Sequence, residues 1–173
     1  MEYVHTTKSP FGTITLSSDG EHLSGLWFEG QKYFARTLEK GAAEQNLPVF
    51  ADVEKWLDVY FSGKEPDYMP PLMPKGSPFQ QSIWDILRKI PYGQTTSYGE
   101  IARQFELEHK GSHTSARAAG GAVGRNPISI LIPCHRVVGK NGDLTGYAGG
   151  FGIKAALLRM EGITANMGRT ETV

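Results

Sequence analysis

The chain of 173 residues holds one cysteine, Cys134, in its densest run of reactive side chains, Pro133-Cys134-His135-Arg136-Val137-Val138. A lone cysteine is ordinarily a buried small hydrophobe. A neighbouring cation changes that expectation, because it lowers a thiol's pKa and raises the nucleophilic thiolate fraction. With one cysteine there is no internal disulfide and no multi-thiolate zinc site. The apolar run Ile128 to Pro133, broken at Ser129, predicts a strand leading into the cysteine, and adjacent side chains of a strand point to opposite faces. Direct sulfur-to-imidazole contact is then awkward, so a bridging water is the expected proton path. A histidine acting as base also needs a partner to fix its tautomer, and Glu161 or Asp143 could supply it.

The elements that must position this run are legible in part. Gly12 to Ser17 alternates with a period of two, Ser18-Asp19-Gly20 is turn chemistry, and Leu23 to Phe28 resumes an apolar run, which together predict a hairpin. Asp52 is placed to cap a helix with Val53, Trp56, Leu57, Tyr60 and Phe61 inward. Prolines 66, 70, 71, 74 and 78 and Gly76 crowd a short stretch, and residues 62–77 read as a linker between a lobe over 1–76 and a second over 77–173. Ser77-Pro78-Phe79-Gln80 is a capping box with proline at the first helical position, opening a helix that ends at Pro91-Tyr92-Gly93. Ser97-Tyr98-Gly99-Glu100 opens another, and a third is predicted from Thr114 to Val123. Two short helices followed by one with a bare surface suggest a helix-turn-helix.

The third helix carries Ala116, Ala118, Ala119, Gly120, Gly121 and Ala122, and each glycine costs roughly 1 kcal/mol of helix stability relative to alanine. Such a surface suits close packing against a neighbouring helix, or entry into a narrow groove of DNA. The charge is uneven as well. Residues 1–75 hold seven Lys and Arg against eleven Asp and Glu, and residues 76–173 hold eleven against seven, which hints that the second half meets a polyanion.

Pro133-Cys134-His135-Arg136-Val137 resembles the active-site signature of the O6-alkylguanine-DNA alkyltransferases, the methylated-DNA–protein-cysteine methyltransferases. Asn126-Pro127 eight positions before the cysteine, Tyr98, Arg117, Tyr147-Ala148-Gly149-Gly150 and Glu161-Gly162 extend the resemblance across residues 77–162. Residues 1–76 follow it in outline. The implied fold is α+β, with a small ribonuclease-H-like sheet lobe and a helix-turn-helix (winged-helix-like) lobe carrying the site. The implied activity is direct-reversal DNA repair, in which an alkyl group passes irreversibly from guanine O6 to Cys134, once per molecule and without a cofactor or metal. O4-alkylthymine is left open as a second substrate.

Residue by residue, the resemblance implies that Cys134 is the nucleophile and that His135 takes its proton through a water, with Glu161 orienting the imidazole. Tyr98 would donate to the departing guanine, and Asn126 would brace the turn before the cysteine. Arg117 would replace the flipped nucleotide, flanked by Ala116, Ala118 and Gly120 in the minor groove, with Thr95, Ser97 and Arg136 as further DNA contacts. Val137, Tyr147, Ala148, Gly149, Gly150 and Lys154 would line or hold the pocket. Ala148 replaces a serine that some relatives carry. The implied partner is double-stranded DNA containing O6-alkylguanine, met by a monomer, with cooperative loading left open.

Other readings compete. A sensor that binds alkylated DNA without reacting is disfavoured, since related alkyltransferase-like proteins carry tryptophan where this chain has Cys134. A sequence-reading regulator would want Arg, Asn or Gln along its recognition helix, and a cysteine hydrolase would want an oxyanion-hole glycine run beside the nucleophile. His109 and His113, four apart, could share a helical face as metal ligands, but Gly111 and Ser112 between them favour an exposed loop. No apolar stretch is long enough to span a bilayer, and no basic start leads into an apolar run. The expectation is a soluble cytoplasmic protein.

Overall fold

The run Tyr3-Val4-His5-Thr6-Thr7-Lys8-Ser9 forms β1 (Tyr3–Ser9), which pairs antiparallel with β2 (Gly12–Ser18); β2 pairs antiparallel with β3 (Leu23–Phe28). A two-residue β4 (Ala43–Glu44) runs parallel to β1 and completes the order β3-β2-β1-β4. The computed structural model describes residues 1–139, 142–144 and 151–163. Helix α1 (Pro48–Phe61) packs on this sheet and buries Val49, Phe50, Val53, Trp56, Leu57 and Tyr60. It starts a full turn before the expected cap at Asp52. Leu47 is the N-cap with no side-chain hydrogen bond, and Pro48 supplies a preset φ at the first turn.

Every residue of β3 is buried, and its outer edge is covered by two short segments. Leu23 exchanges hydrogen bonds with Pro71 and Met73, while Leu26 does so with Pro127 and Ser129. An uncovered edge is a template for pairing with other chains, and here it is used up. Compact division of the chain places residues 1–75 together with Pro127–Ser129 in one unit, and residues 76–126 with 130–173 in the other. The main division falls within the proline-rich stretch, and Pro127–Ser129 count with the first unit.

In the second unit, α2 (Pro78–Leu87), α3 (Tyr98–Glu108) and α4 (Ala116–Gly124) pack against one another. The capping box of α2 is present in full, with Ser77 Oγ accepting from the Gln80 N–H and the Gln80 side chain accepting from the Ser77 N–H. Ser97 caps α3 by accepting from the Glu100 N–H, and Ser115 caps α4 through the Ala118 N–H, so α4 starts two residues later than the sequence predicts. The bare face of α4 lets the Trp84 indole N–H reach the Ala122 carbonyl at 2.9 Å. β5 (Thr96–Ser97) pairs parallel with β6 (Val137–Val138), tying the start of α3 to the segment after Cys134. α5 (Phe151–Met160) packs on the turn that holds the cysteine. The architecture is mixed α+β. Among the described residues no helix is long and apolar enough to cross a membrane.

Candidate active site

Cys134 does not lie on a strand. Of the apolar run before it, Ile128 alone makes a strand bridge, and residues Cys134–Arg136 form a 3-10 turn entered through Pro133. The Cys134 N–H donates to the Ile132 carbonyl at 2.8 Å, closing a tight bend around the proline. Ile130 has φ +72°, a left-handed backbone that strains a β-branched residue. Asn126 braces this bend: its Nδ2 donates to the Ile132 carbonyl at 2.8 Å and to Cys134 Sγ at 3.2 Å. A single amide thus holds both the turn and the sulfur. Cys134 is 5% exposed. Burial pushes its thiol above the ordinary value, against the Asn126 hydrogen bond and the Lys154 charge, which draw it down.

The fully buried His135 places Nε2 2.6 Å from Glu161 Oε2. Glu161, just past α5, is the partner the histidine needs; Asp143 is not. Burial alone would raise the Glu161 carboxyl. The hydrogen bond and charge of His135, the Arg136 guanidinium and the Gly93 N–H outweigh it and bring the carboxyl down to about 2. An ionised carboxylate accepts, so Nε2 carries the proton and Nδ1 is the basic nitrogen. For His135 itself, burial holds the imidazole below its ordinary pKa, with Glu161 pulling upward and the charges of Arg136 and Lys154 adding to the depression.

Arg136 does not face solvent, contrary to its expected place among DNA contacts. It is 8% exposed, with Nε donating to Glu161 Oε1 at 2.8 Å, one terminal nitrogen to Oε2 at 3.2 Å and the other to the Ile90 carbonyl at 2.7 Å. Its guanidinium lies 5.6 Å from the Tyr92 ring centroid. Gly93, with φ +79°, turns its N–H onto Glu161 Oε1 at 3.0 Å. The Pro91-Tyr92-Gly93 stop of the sequence therefore supplies a ligand to the buried carboxylate. That role was not read from the sequence, although glycine in a helix-ending motif marks a place for positive φ.

Tyr98 opens α3, and burial, with the neighbouring Cys134 and Asp143, pushes its phenol up to about 12. A side chain on Gly120 would put its Cβ 3.3 Å from Tyr98 Cδ1, so this glycine makes room for the tyrosine ring. Lys154 on α5 is fully buried, and its Nζ donates to the Val137 carbonyl at 2.6 Å and lies 5.8 Å from the Tyr98 ring centroid. Burial lowers its ammonium to about 8, with Cys134 and Asp143 opposing that shift. Val137 is buried on β6.

Ala116, Arg117 and Ala118 are exposed on the first turn of α4. Thr95 is exposed beside an open groove with Lys89, Gln94 and Glu100, whereas the Ser97 hydroxyl is engaged as a helix cap. His109 and His113 turn to separate partners. The half-buried His109 ring stacks on Phe105 with Nδ1 bonded to the Phe105 carbonyl, and His113 pairs with Glu106. Tyr147, Ala148, Gly149 and Gly150 lie outside the described residues.

The site gathers a thiol, an amide that donates to it, a carboxylate-oriented imidazole and a high-pKa phenol. That set suits attack by sulfur with local proton management. Comparison with known proteins agrees. Residues 78–163 match the family described as 6-O-methylguanine DNA methyltransferase, DNA binding domain. Residues 3–73 match the 6-O-methylguanine DNA methyltransferase, ribonuclease-like domain. A methylated-DNA–protein-cysteine methyltransferase of Methanosarcina acetivorans is 41% identical over 160 residues, covering 92% of this chain and 98% of its own length. That of Haemophilus influenzae is 42% identical, over 90% and 83%. The crystal structure of Mycobacterium tuberculosis O6-methylguanine methyltransferase superposes with a TM-score of 0.79 at 39 to 40% identity, covering 98% of this chain and 99% of that one. That of Mycobacterium tuberculosis OGT in complex with DNA gives 0.80 at 40% identity, covering 92% of each chain.

Proposed function

The chain belongs to the 6-O-methylguanine DNA methyltransferase family, and we propose that it repairs double-stranded DNA by moving the alkyl group from guanine O6 onto Cys134. One observation carries the reading: the chain's sole thiol accepts a hydrogen bond from Asn126 and is followed by a histidine that Glu161 holds with Nε2 protonated. The thiol proton passes through a water to His135 Nδ1. The sulfur pair forms the S–C bond as the C–O6 bond breaks, and the electron pair left on the purine is met by a proton from Tyr98. A phenol raised to about 12 stays protonated until that charge develops. The resulting thioether does not hydrolyse, so each molecule acts once.

An O6-alkyl group is out of reach inside a duplex, and the base must be flipped at a cost of a few kcal/mol. α3 and α4 serve as the helix-turn-helix. Ala116 and Ala118 let the exposed first turn of α4 approach the minor groove, Arg117 fills the vacated stack, and Thr95 meets the backbone. Val137 lines the pocket that admits the base.

Incubation with a duplex bearing one O6-methylguanine is expected to add one methyl increment to the intact mass, localised to the Cys134 peptide, and no further increment with excess substrate. An unchanged mass with a folded protein and intact lesion would defeat the proposal; an O4-methylthymine duplex tests the second substrate in the same assay. Arg117→Ala is expected to slow transfer from the duplex by at least tenfold while leaving reaction with free O6-benzylguanine near the unsubstituted rate. Equal slowing on both would place Arg117 in folding or chemistry instead.

A further inference from the structure

Three charged or titratable groups converge on the buried Glu161 carboxylate and the imidazole beside it. Arg136 approaches from the turn, Lys154 adds its charge from α5, and the Cys134 thiol lies next in the chain. The sharing of oxygens is uneven. Oε1 is held by Arg136 Nε at 2.8 Å and the Gly93 N–H at 3.0 Å, while Oε2 meets His135 Nε2 at 2.6 Å and, at a longer 3.2 Å, a terminal nitrogen of Arg136. The Arg136 guanidinium is itself fixed by the Ile90 carbonyl and stands over the Tyr92 ring. A buried carboxylate needs a counter-charge. Were Arg136 absent, the nearest group able to supply one would be His135, by taking a second proton.

We propose that Arg136 is a positioning residue for alkyl transfer: it is the standing counter-ion of Glu161, so that His135 remains a neutral base with its proton on Nε2. This rests on the reading of His135 as the base for Cys134. An imidazolium formed merely to balance Glu161 could take no proton from the thiol. The arginine fork supplies both the charge and the geometry, because it spans both carboxylate oxygens, closer on Oε1 at 2.8 Å than on Oε2 at 3.2 Å, and fixes the carboxylate whose Oε2 meets the imidazole. Burial and the Arg136 and Lys154 charges all disfavour imidazolium, while Glu161 favours it. Removing Arg136 therefore shifts the balance toward the charged ring.

The test follows methyl transfer from an O6-methylguanine duplex as a function of pH, alongside nitrogen NMR of the His135 ring in the DNA-free protein. In the unsubstituted protein the ring is expected to stay neutral with Nε2 protonated at and below the ordinary histidine value of about 6.5. Imidazolium above that pH would overturn the proposal on the unsubstituted protein alone. Arg136→Met is expected to move the acid limb of the rate profile upward by roughly one pH unit, with the ring titration moving in step, and Arg136→Lys to restore part of the shift. With Glu161→Gln already in place, Arg136→Met should move the ring titration little. A slower variant with an unmoved limb and an unmoved ring would make Arg136 merely structural. Loss of methyl transfer by the unsubstituted protein would instead defeat the assignment of function and leave the ring measurement standing.

Discussion

Cys134→Ser is expected to leave a folded protein that gains no methyl mass from an O6-methylguanine duplex, however long the exposure. Serine nearly matches cysteine in volume, and its Oγ can still accept from Asn126 Nδ2, which donates to Sγ at 3.2 Å. Placing a hydroxyl in this buried site should cost about 1–3 kcal/mol of stability. The chemistry does not survive, because an alcohol is a far weaker acid and nucleophile than a thiol, and a histidine can activate a serine only toward electrophiles better than an alkyl ether. The variant should still bind the lesion and hold it, since nothing consumes the complex. Intact mass and a mobility shift on the same sample read both outcomes. A methyl increment on the serine variant would show that the sulfur is not the acceptor.

Glu161→Gln is the second large effect, expected to slow methyl transfer by roughly 10²–10⁴-fold. The direction follows from the donors around residue 161. Arg136 Nε and the Gly93 N–H both point at Oε1, against one longer Arg136 contact to Oε2 at 3.2 Å, so a glutamine places its carbonyl oxygen at the Oε1 position and presents its NH₂ to His135. A donor then faces Nε2, the ring must shift its proton to Nδ1, and the nitrogen needed for the thiol proton is blocked. Nitrogen NMR of His135 reports that tautomer change directly. Stability gives an independent readout. The folded carboxyl lies at about 2 against an ordinary 4.5, so its contribution is present above about 4.5 and is lost as pH falls toward 2. Denaturant midpoints of the unsubstituted protein should therefore fall across that window more steeply than those of the glutamine variant. Parallel acid limbs would mean that the carboxylate is not held as the structure shows it.

Local chemistry was legible where a local signal sufficed. Ser77-Pro78-Phe79-Gln80 announces the start of α2 because the capping atoms and the proline lie within four residues of each other. α1 was misplaced by a turn because Leu47 caps it without a side chain, and Asp52, an attractive cap by type, lies inside the helix. β1 carries no clear signal in the sequence, because Thr6 and Lys8 are exposed, its other residues are only partly buried, and the apolar alternation is weak. The strand expected before Cys134 became a turn: Pro133 and the Asn126 amide bend the chain more strongly than the β-branched run extends it. The reactive residues themselves were named from the sequence, but their wiring was not. Arg136 and Glu161 are 25 residues apart, and no periodicity relates them; α5 has to return to the cysteine turn before they meet. Gly120, read as bare surface for a neighbouring helix or a DNA groove, makes room for an aromatic ring from the head of α3.

The two hydrogen bonds between Leu26 and the Pro127–Ser129 segment bear on how the protein can be dissected. Those three residues stand between Asn126 and the strained Ile130, and they count with the sheet rather than with the helices on either side. Truncation at the proline-rich stretch would keep every reactive side chain, yet would strip the Pro127 carbonyl and the Ser129 N–H of their strand partner. Slack introduced there would be passed to the amide that grips the sulfur. A fragment that retains the signature is thus not an equivalent of the intact chain, because the backbone next to Asn126 has lost its strand partner.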